Sequence, residues 1–261
     1  MIPNNLIEKL RSTQSVVFFT GAGVSSESGI PTFRDALTGL WAQFDAEKLA
    51  TRQAFQRDPE LVWGWYEWRR MQVQQADPNP GHRAIVALEA HFPQVTVITQ
   101  NVDDLHERAG SHRVIHLHGS LFAPRCFDCE RPHALSATML NEPAGGRRLM
   151  PPACPACHGH IRPGVVWFNE ALPERAWQAA LEAVMHADLL FVVGTSGLVW
   201  PAADLPYLAH RSGALVVQVN PIITRSTSLP TWAIEGKAGA VLPALVERLA
   251  GAIPVSCNQK R

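Results

Sequence analysis

Six short runs of the chain are largely apolar and rich in Val, Ile and Phe. They are SVVFFT (15–20), VTVITQ (95–100), VIHLH (114–118), VVWF (165–168), DLLFVVGT (188–195) and ALVVQVN (214–220). Runs of strand length without polar alternation suit a parallel sheet covered on both faces. Between them, helical patterns are read over about 59–75, 81–91, 103–109, 173–186, 202–212 and 243–250, and MIPNNLIEKLRSTQS at the start reads as a short amphipathic helix. Strand and helix in alternation predict a doubly wound α/β domain. The segment from about 120 to 163 breaks this rhythm with several prolines and NEPAGGRR, and reads as an inserted module with little regular structure.

In such sheets a ligand sits beyond the carboxyl ends of the strands. Here those ends carry Gly21-Ala22-Gly23, Gln100-Asn101, His118-Gly119, Gly194-Thr195-Ser196 and Asn220-Pro221, all polar or small groups. The chain of 261 residues has room for one large domain with a small insertion. Its formal net charge of zero argues against non-specific attraction to nucleic acid or anionic membrane. No run approaches the roughly 18 apolar residues of a membrane span, and the first residues lack the apolar core of a signal peptide. The expectation is a soluble cytoplasmic protein. Four of the five cysteines form two C-x-x-C pairs, Cys126/Cys129 and Cys154/Cys157, while Cys257 stands alone. Without a secretion signal, such pairs are metal ligands sooner than disulfides, and four thiolates make a closed, structural zinc site.

Other motifs each carry two readings. Gly21-Ala22-Gly23 after a strand lets bare backbone amides approach a pyrophosphate, or is a plain tight turn; Ser26 stands where a full G-x-G-x-x-G needs Gly. His118 closes an apolar run at the expected crevice, where an imidazole can take a proton near neutral pH, although a histidine on a strand is more often a satisfied core residue. Asn101 and Asp103 line the crevice or merely cap the following helix. Tyr66 and Arg69 share a helix face below the cap Asp58-Pro59, either as a carboxylate receptor or as the polar side of a Trp-rich helix.

Taken in order, GAGVSSESGIPTFR, TQNVDDLHERAG, HLHGS, the cysteine pairs, VVWFNEALP, VVGTS and QVNP resemble a sirtuin over about residues 12 to 250. The resemblance implies an NAD-dependent protein-lysine deacylase with a Rossmann-like, doubly wound parallel sheet (1–34, 81–119 and 164–255), a helical part of a smaller domain (35–80) and a zinc-binding module (120–163). Within the family the chain is similar to the desuccinylase and demalonylase type, through Tyr66-Glu67-Trp68-Arg69 and through Ala50, which in that type widens the acyl pocket. Gly21 to Trp41 then becomes the cofactor loop, with Gly21, Ala22, Gly23, Ser25, Ile30, Phe33, Arg34 and Trp41 on NAD. Gln100, Asn101, Val102 and Asp103 form the nicotinamide pocket. Gly194, Thr195, Ser196, Asn220, Pro221, Ile222 and Ala238 hold the adenosine half. His118 is the implied general base. Val165, Val166, Trp167 and Phe168 pair with the substrate main chain by strand addition.

The implied reaction consumes NAD, releases nicotinamide and gives free lysine and O-acyl-ADP-ribose. The implied partners are acyl-lysine proteins, for a monomer acting without nucleic acid or membrane. Ser26 departs from the usual Ala, Asn169 from the Gly of F-G-E, and Trp200 from a common Tyr. A zinc-containing NAD dehydrogenase, a non-enzymatic zinc module, a deacetylase without acidic preference and an ADP-ribosyl transferase are the competing readings.

Overall fold

The computed structural model describes residues 2–32, 39–135, 141–223 and 231–251. Its strands are β1 (Ser15–Thr20), β2 (Gln94–Thr99), β3 (Val114–His116), β4 (Gly119–Cys126), β5 (Ile161–Val165), β6 (Leu189–Val193), β7 (Leu215–Asn220) and β8 (Trp232–Glu235). Its α-helices are α1 (Asn4–Arg11), α2 (Ala22–Ser26), α3 (Ala46–Leu49), α4 (Arg52–Arg57), α5 (Pro59–Gln75), α6 (Pro80–Glu89), α7 (Leu105–Ala109), α8 (Glu174–Met185), α9 (Leu205–Arg211) and α10 (Ala238–Ala250).

Six strands form one parallel sheet in the order β3-β2-β1-β6-β7-β8. The chain leaves β1 to one side and later returns to its other side at β6. That reversal opens a crevice at the carboxyl ends of β1, β2 and β6. The continuous apolarity of β1 and β6 has its physical reason here. Val16, Phe18, Leu189 and Phe191 pack on one face with α1, α6 and α10, while Val17, Phe19 and Leu190 pack on the other with α8 and α9.

A third apolar cluster joins α3, α4 and α5 to the two-stranded antiparallel sheet of β4 and β5. Helix α5 begins where Asp58 accepts from Leu61 N and Pro59 takes the first turn. The stretch between the cysteine pairs lies along this helix. Leu149 N donates to Glu60 O at 3.1 Å, and Trp68 Nε1 donates to Ala144 O at 3.2 Å. Gly64 permits this approach, because a Cβ there would stand 2.1 Å from Arg147 O.

Several sequence expectations need correction. VVWF (165–168) is no strand of the large sheet: only Val165 is in a strand, β5, which pairs antiparallel with β4. The run 114–118 ends as a strand at His116, with Leu117 and His118 in a turn. β4 and β8 were not expected. α7 begins at Leu105 rather than 103, and α10 begins at Ala238 rather than 243, carrying Pro243 inside it. Among the described residues, no helix is long and apolar enough to cross a membrane.

Candidate functional site

A cavity of about 470 Å³ runs from the strand ends to α5 and the segment after β5. At the strand ends its wall is largely backbone. A Cβ on Gly21 or on Gly23 would come within 2.8 Å of Gly194 O, and Gly194 itself has φ +61°. Gly21 N donates to Val193 O at 3.0 Å and Gly23 N to Gly194 O at 2.8 Å. These two amides are therefore engaged within the protein. The glycines let the ends of β1 and β6 touch, rather than offering their own N–H groups to a phosphate as expected. Ser26 fits its place, closing on Gly23 O at 2.9 Å.

Polar side chains tie the strand ends together. Gln100 Nε2 donates to Thr195 Oγ1 at 2.8 Å, and Asn220 Nδ2 donates to Thr195 O at 2.9 Å. Asn101 Nδ2 donates to Gly21 O at 3.1 Å and to Ser25 Oγ at 2.9 Å. Asp103 is buried, which raises its pKa, and it accepts from Leu105 N and from Ser25. Asp103 thus serves both readings, lining the cavity and steadying the start of α7. Gly21, Ala22, Gly23, Ser25, Ile30, Val102, Gly194 and Ser196 are in the same wall. Hydroxyl, amide and carboxyl groups around close-set glycines suit a nucleotide with ribose hydroxyls and a carboxamide.

His118 lines the cavity and is half-buried. Its Nδ1 lies 3.0 Å from Gln100 O. A carbonyl only accepts, so Nδ1 carries the proton and Nε2 keeps the basic lone pair. Burial lowers the pKa below the usual 6.5, with the Gln100 bond opposing in part. His116 is different. Burial works against its charge, but Glu107 at 2.6 Å outweighs it and the pKa is raised. His116 is not in the cavity wall.

At the other end, α5 presents Tyr66 and Arg69 to the cavity, one helical turn apart. Burial pushes the Tyr66 phenol up to about 12. The Arg69 guanidinium lies 5.1 Å from the Trp65 ring centroid and 5.7 Å from that of Tyr66. Val165 to Phe168 line the cavity beside them. Val166 N donates to His118 O at 2.8 Å, Trp167 N to Glu170 Oε2 at 2.9 Å and Phe168 N to Ala50 O at 2.9 Å. Three amides of this strip are thus engaged within the protein, against the expectation that they would pair with a substrate strand. Asn169 has φ +66°, the left-handed conformation that Asn tolerates next best after Gly.

Some expected residues lie elsewhere. Ala50 is buried and meets Phe168 through its carbonyl, outside the cavity wall. Asn220, Pro221, Ile222 and Ala238 are also outside it, Ile222 being 75% exposed. Phe33, Arg34 and Cys257 lie outside the described residues, and Trp41 falls in a single 3-10 turn, Gly39–Gln43. The wall also holds Trp65, Trp68, Gln72, Leu121 and Trp200, which sequence reading did not select. Helical spacing from Arg69 would have found Gln72; Leu121 carried no signal.

The four cysteine sulfurs Cys126, Cys129, Cys154 and Cys157 lie within 4.8 Å of one another, with Sγ pairs at 3.4 and 3.7 Å. Tetrahedral zinc with four thiolates at about 2.3 Å needs sulfurs roughly 3.8 Å apart. Asp128 N and Cys129 N both donate to Cys126 Sγ, which steadies a thiolate. The donor set fits one zinc ion with no open position.

Sheet order, crevice and thiolate cluster define a dinucleotide-binding α/β protein with an attached metal module. The chain belongs to the Sir2 family, whose profile matches residues 21–201. It is 56% identical to an NAD-dependent protein deacylase of Methylococcus capsulatus, over 94% of this chain and 96% of that one. It is also 56% identical to NAD-dependent protein deacylase 1 of Pseudomonas aeruginosa, over 93% and 97% of the two chains. The crystal structure of a Sir2 homolog–NAD complex matches with a TM-score of 0.86 at 42% identity, covering 97% of this chain and 95% of that one. The family resemblance read from the motifs is correct.

Proposed function

We propose that the protein is an NAD-dependent protein-lysine deacylase whose acyl pocket takes an acidic group such as succinyl or malonyl. The observation that carries the acyl preference is the pair Tyr66 and Arg69 in the wall of the cavity that also holds His118. A guanidinium beside a protonated phenol matches a carboxylate, which only accepts hydrogen bonds. Elsewhere the wall holds neutral donors such as Gln72 and Gln100, but among the described residues it pairs no second guanidinium with a phenol.

The substrate NAD would supply the electrophilic ribose carbon, to which the acyl-lysine carbonyl oxygen bonds as nicotinamide departs. Ser25, Gln100, Asn101, Asp103, Thr195 and Ser196 hold the nucleotide at the strand ends. Asn101 and Asp103, fixed on Ser25, face the nicotinamide. His118 Nε2 takes a proton from a ribose hydroxyl, its tautomer held by Gln100 O. The apolar wall from Trp65 to Trp68 and the strip after β5 exclude water while the acyl group is seated. Cys126, Cys129, Cys154 and Cys157 would hold one zinc ion, which would cross-link the module behind α5 and, with no open position, supply no chemistry to the reaction. With the amides of Val166, Trp167 and Phe168 engaged, a peptide main chain docks on the exposed stretch that begins at Phe168 and Asn169. As part of the same proposal, the protein acts as a cytoplasmic monomer on acylated proteins, and reduced thiolate ligands suit that compartment.

The test is direct. A succinyl-lysine peptide incubated with NAD and enzyme gives free lysine peptide and nicotinamide in equal amounts. Conversion of oxidised to reduced cofactor, or no nicotinamide at all, would overturn the proposal.

A further inference from the structure

One pair of side chains behind the strip, Arg162 and Glu170, has no part in the reaction above. Arg162 on β5 is buried, and its guanidinium donates to both Glu170 oxygens at 2.6 and 2.9 Å and to Val165 O at 2.9 Å. The left-handed turn at Asn169 brings Glu170 back to accept from Trp167 N. The Arg162 guanidinium also lies 3.5 Å from the Trp167 ring centroid, and Phe55 packs on Trp167 at 5.4 Å. Trp167 is therefore held by its backbone and through its ring.

The indole points across the small domain to α5. Its Nε1 donates to Tyr66 Oη at 3.1 Å, a contact between residues 101 apart in sequence. An indole nitrogen can only donate. The Tyr66 oxygen must accept there, so its own hydrogen is turned away from Trp167. Burial keeps that hydrogen in place, with the phenol pKa at about 12. Among the described residues, the Tyr66 hydroxyl has no other hydrogen bond.

We propose that Trp167 is a specificity-determining positioning residue, whose indole N–H fixes Tyr66 as a hydrogen-bond donor toward the carboxylate of an acidic acyl group. This inference rests on the acidic-acyl reading. A phenol hydroxyl can turn either way, and one turned to accept would set its lone pair against a carboxylate. The Arg162–Glu170 pair holds the indole, the indole sets the phenol, and the phenol shares the carboxylate with Arg69. Acetyl-lysine has no carboxylate and gains nothing from this arrangement.

The experiment measures kcat and KM separately on succinyl and acetyl versions of one peptide, for wild type, Trp167→Phe, Tyr66→Phe, their double variant and Arg69→Met. Trp167→Phe is expected to raise KM for succinyl about five- to tenfold more than it raises KM for acetyl, the worth of one oriented hydrogen bond. In the Tyr66→Phe background the second change is expected to add nothing. Effects that multiply in the double variant, or an equal loss on acetyl, overturn the proposal and leave Trp167 as packing. Should Tyr66→Phe and Arg69→Met both leave the succinyl-to-acetyl ratio unchanged, the acidic-acyl reading itself falls, which is a distinguishable failure. If Trp167→Phe does not fold, benzothienylalanine at position 167 keeps the indole shape, lacks the N–H, and runs the same test.

Discussion

At the strand-end half of the cavity the wall is largely backbone, short polar side chains and glycines; at the half proposed to take the acyl group, here called the acyl half, it is mainly Trp, Tyr and Arg with apolar neighbours. The first half is assembled by sheet topology. Once β1, β2 and β6 lie side by side, their carboxyl ends meet, and Gly21, Gly23 and Gly194 need only lack side chains. The second half depends on contacts between distant segments. α5 is backed by the stretch between the cysteine pairs and fronted by the segment after β5. The acyl half should therefore be the more sensitive to changes far from the substrate.

The largest effect should come from the metal module. Cys154→Ser removes a thiolate from a site whose ion stabilises the local fold, so the zinc is lost and Tm falls by roughly 10 °C or more. Metal analysis and a melting curve check this, with far-UV circular dichroism expected to keep most of the sheet and helix signal. Survival of zinc and Tm would show that the cluster does not hold up the acyl half. His118→Ala cuts the other way. It should lower kcat on succinyl and acetyl peptides alike, by about 10²- to 10⁴-fold, with an unchanged melting curve.

Gly64→Ala isolates the back of α5. A Cβ there meets Arg147 O, so the stretch must shift at a cost of about 1–3 kcal/mol. KM for succinyl should rise while nucleotide binding is unchanged; an equal change in both would erase the contrast between the halves. The smallest effect concerns pH. Burial, opposed in part by Gln100, holds the His118 pKa below 6.5. The base must be neutral, so kcat/KM should rise with pH on the acid side and reach half its plateau below pH 6.5, for both acyl groups.

The same contrast explains what could be read in the sequence. β1, β2, β6 and β7 are continuous apolar runs and were legible, as were the glycines, His118 and the cysteine pairs, because local spacing carries them. β8 was not, since its pattern Trp232-Ala233-Ile234-Glu235 leaves alternate residues exposed at the sheet edge. VVWF shows the limit of apolarity as a signal: it marks burial, and burial comes here from α5 and α4, not from the large sheet. Pro243 masked the true start of α10, which runs through it. Ala50 and Ala238 were selected by family position alone, and neither reaches the cavity wall. The bond from Trp167 to Tyr66 had no local signature, because it exists only once the two segments are packed.

The most direct test is the ratio of kcat/KM on succinyl- and acetyl-lysine versions of one peptide, measured for wild type and Arg69→Met. The account predicts that wild type prefers succinyl, and that the variant loses about ten- to a hundredfold on succinyl while keeping acetyl activity, as expected for removing a charged hydrogen-bond partner. A wild-type preference for acetyl, with no effect of Arg69→Met on the ratio, would contradict it and leave Tyr66 and Arg69 as one face of a helix.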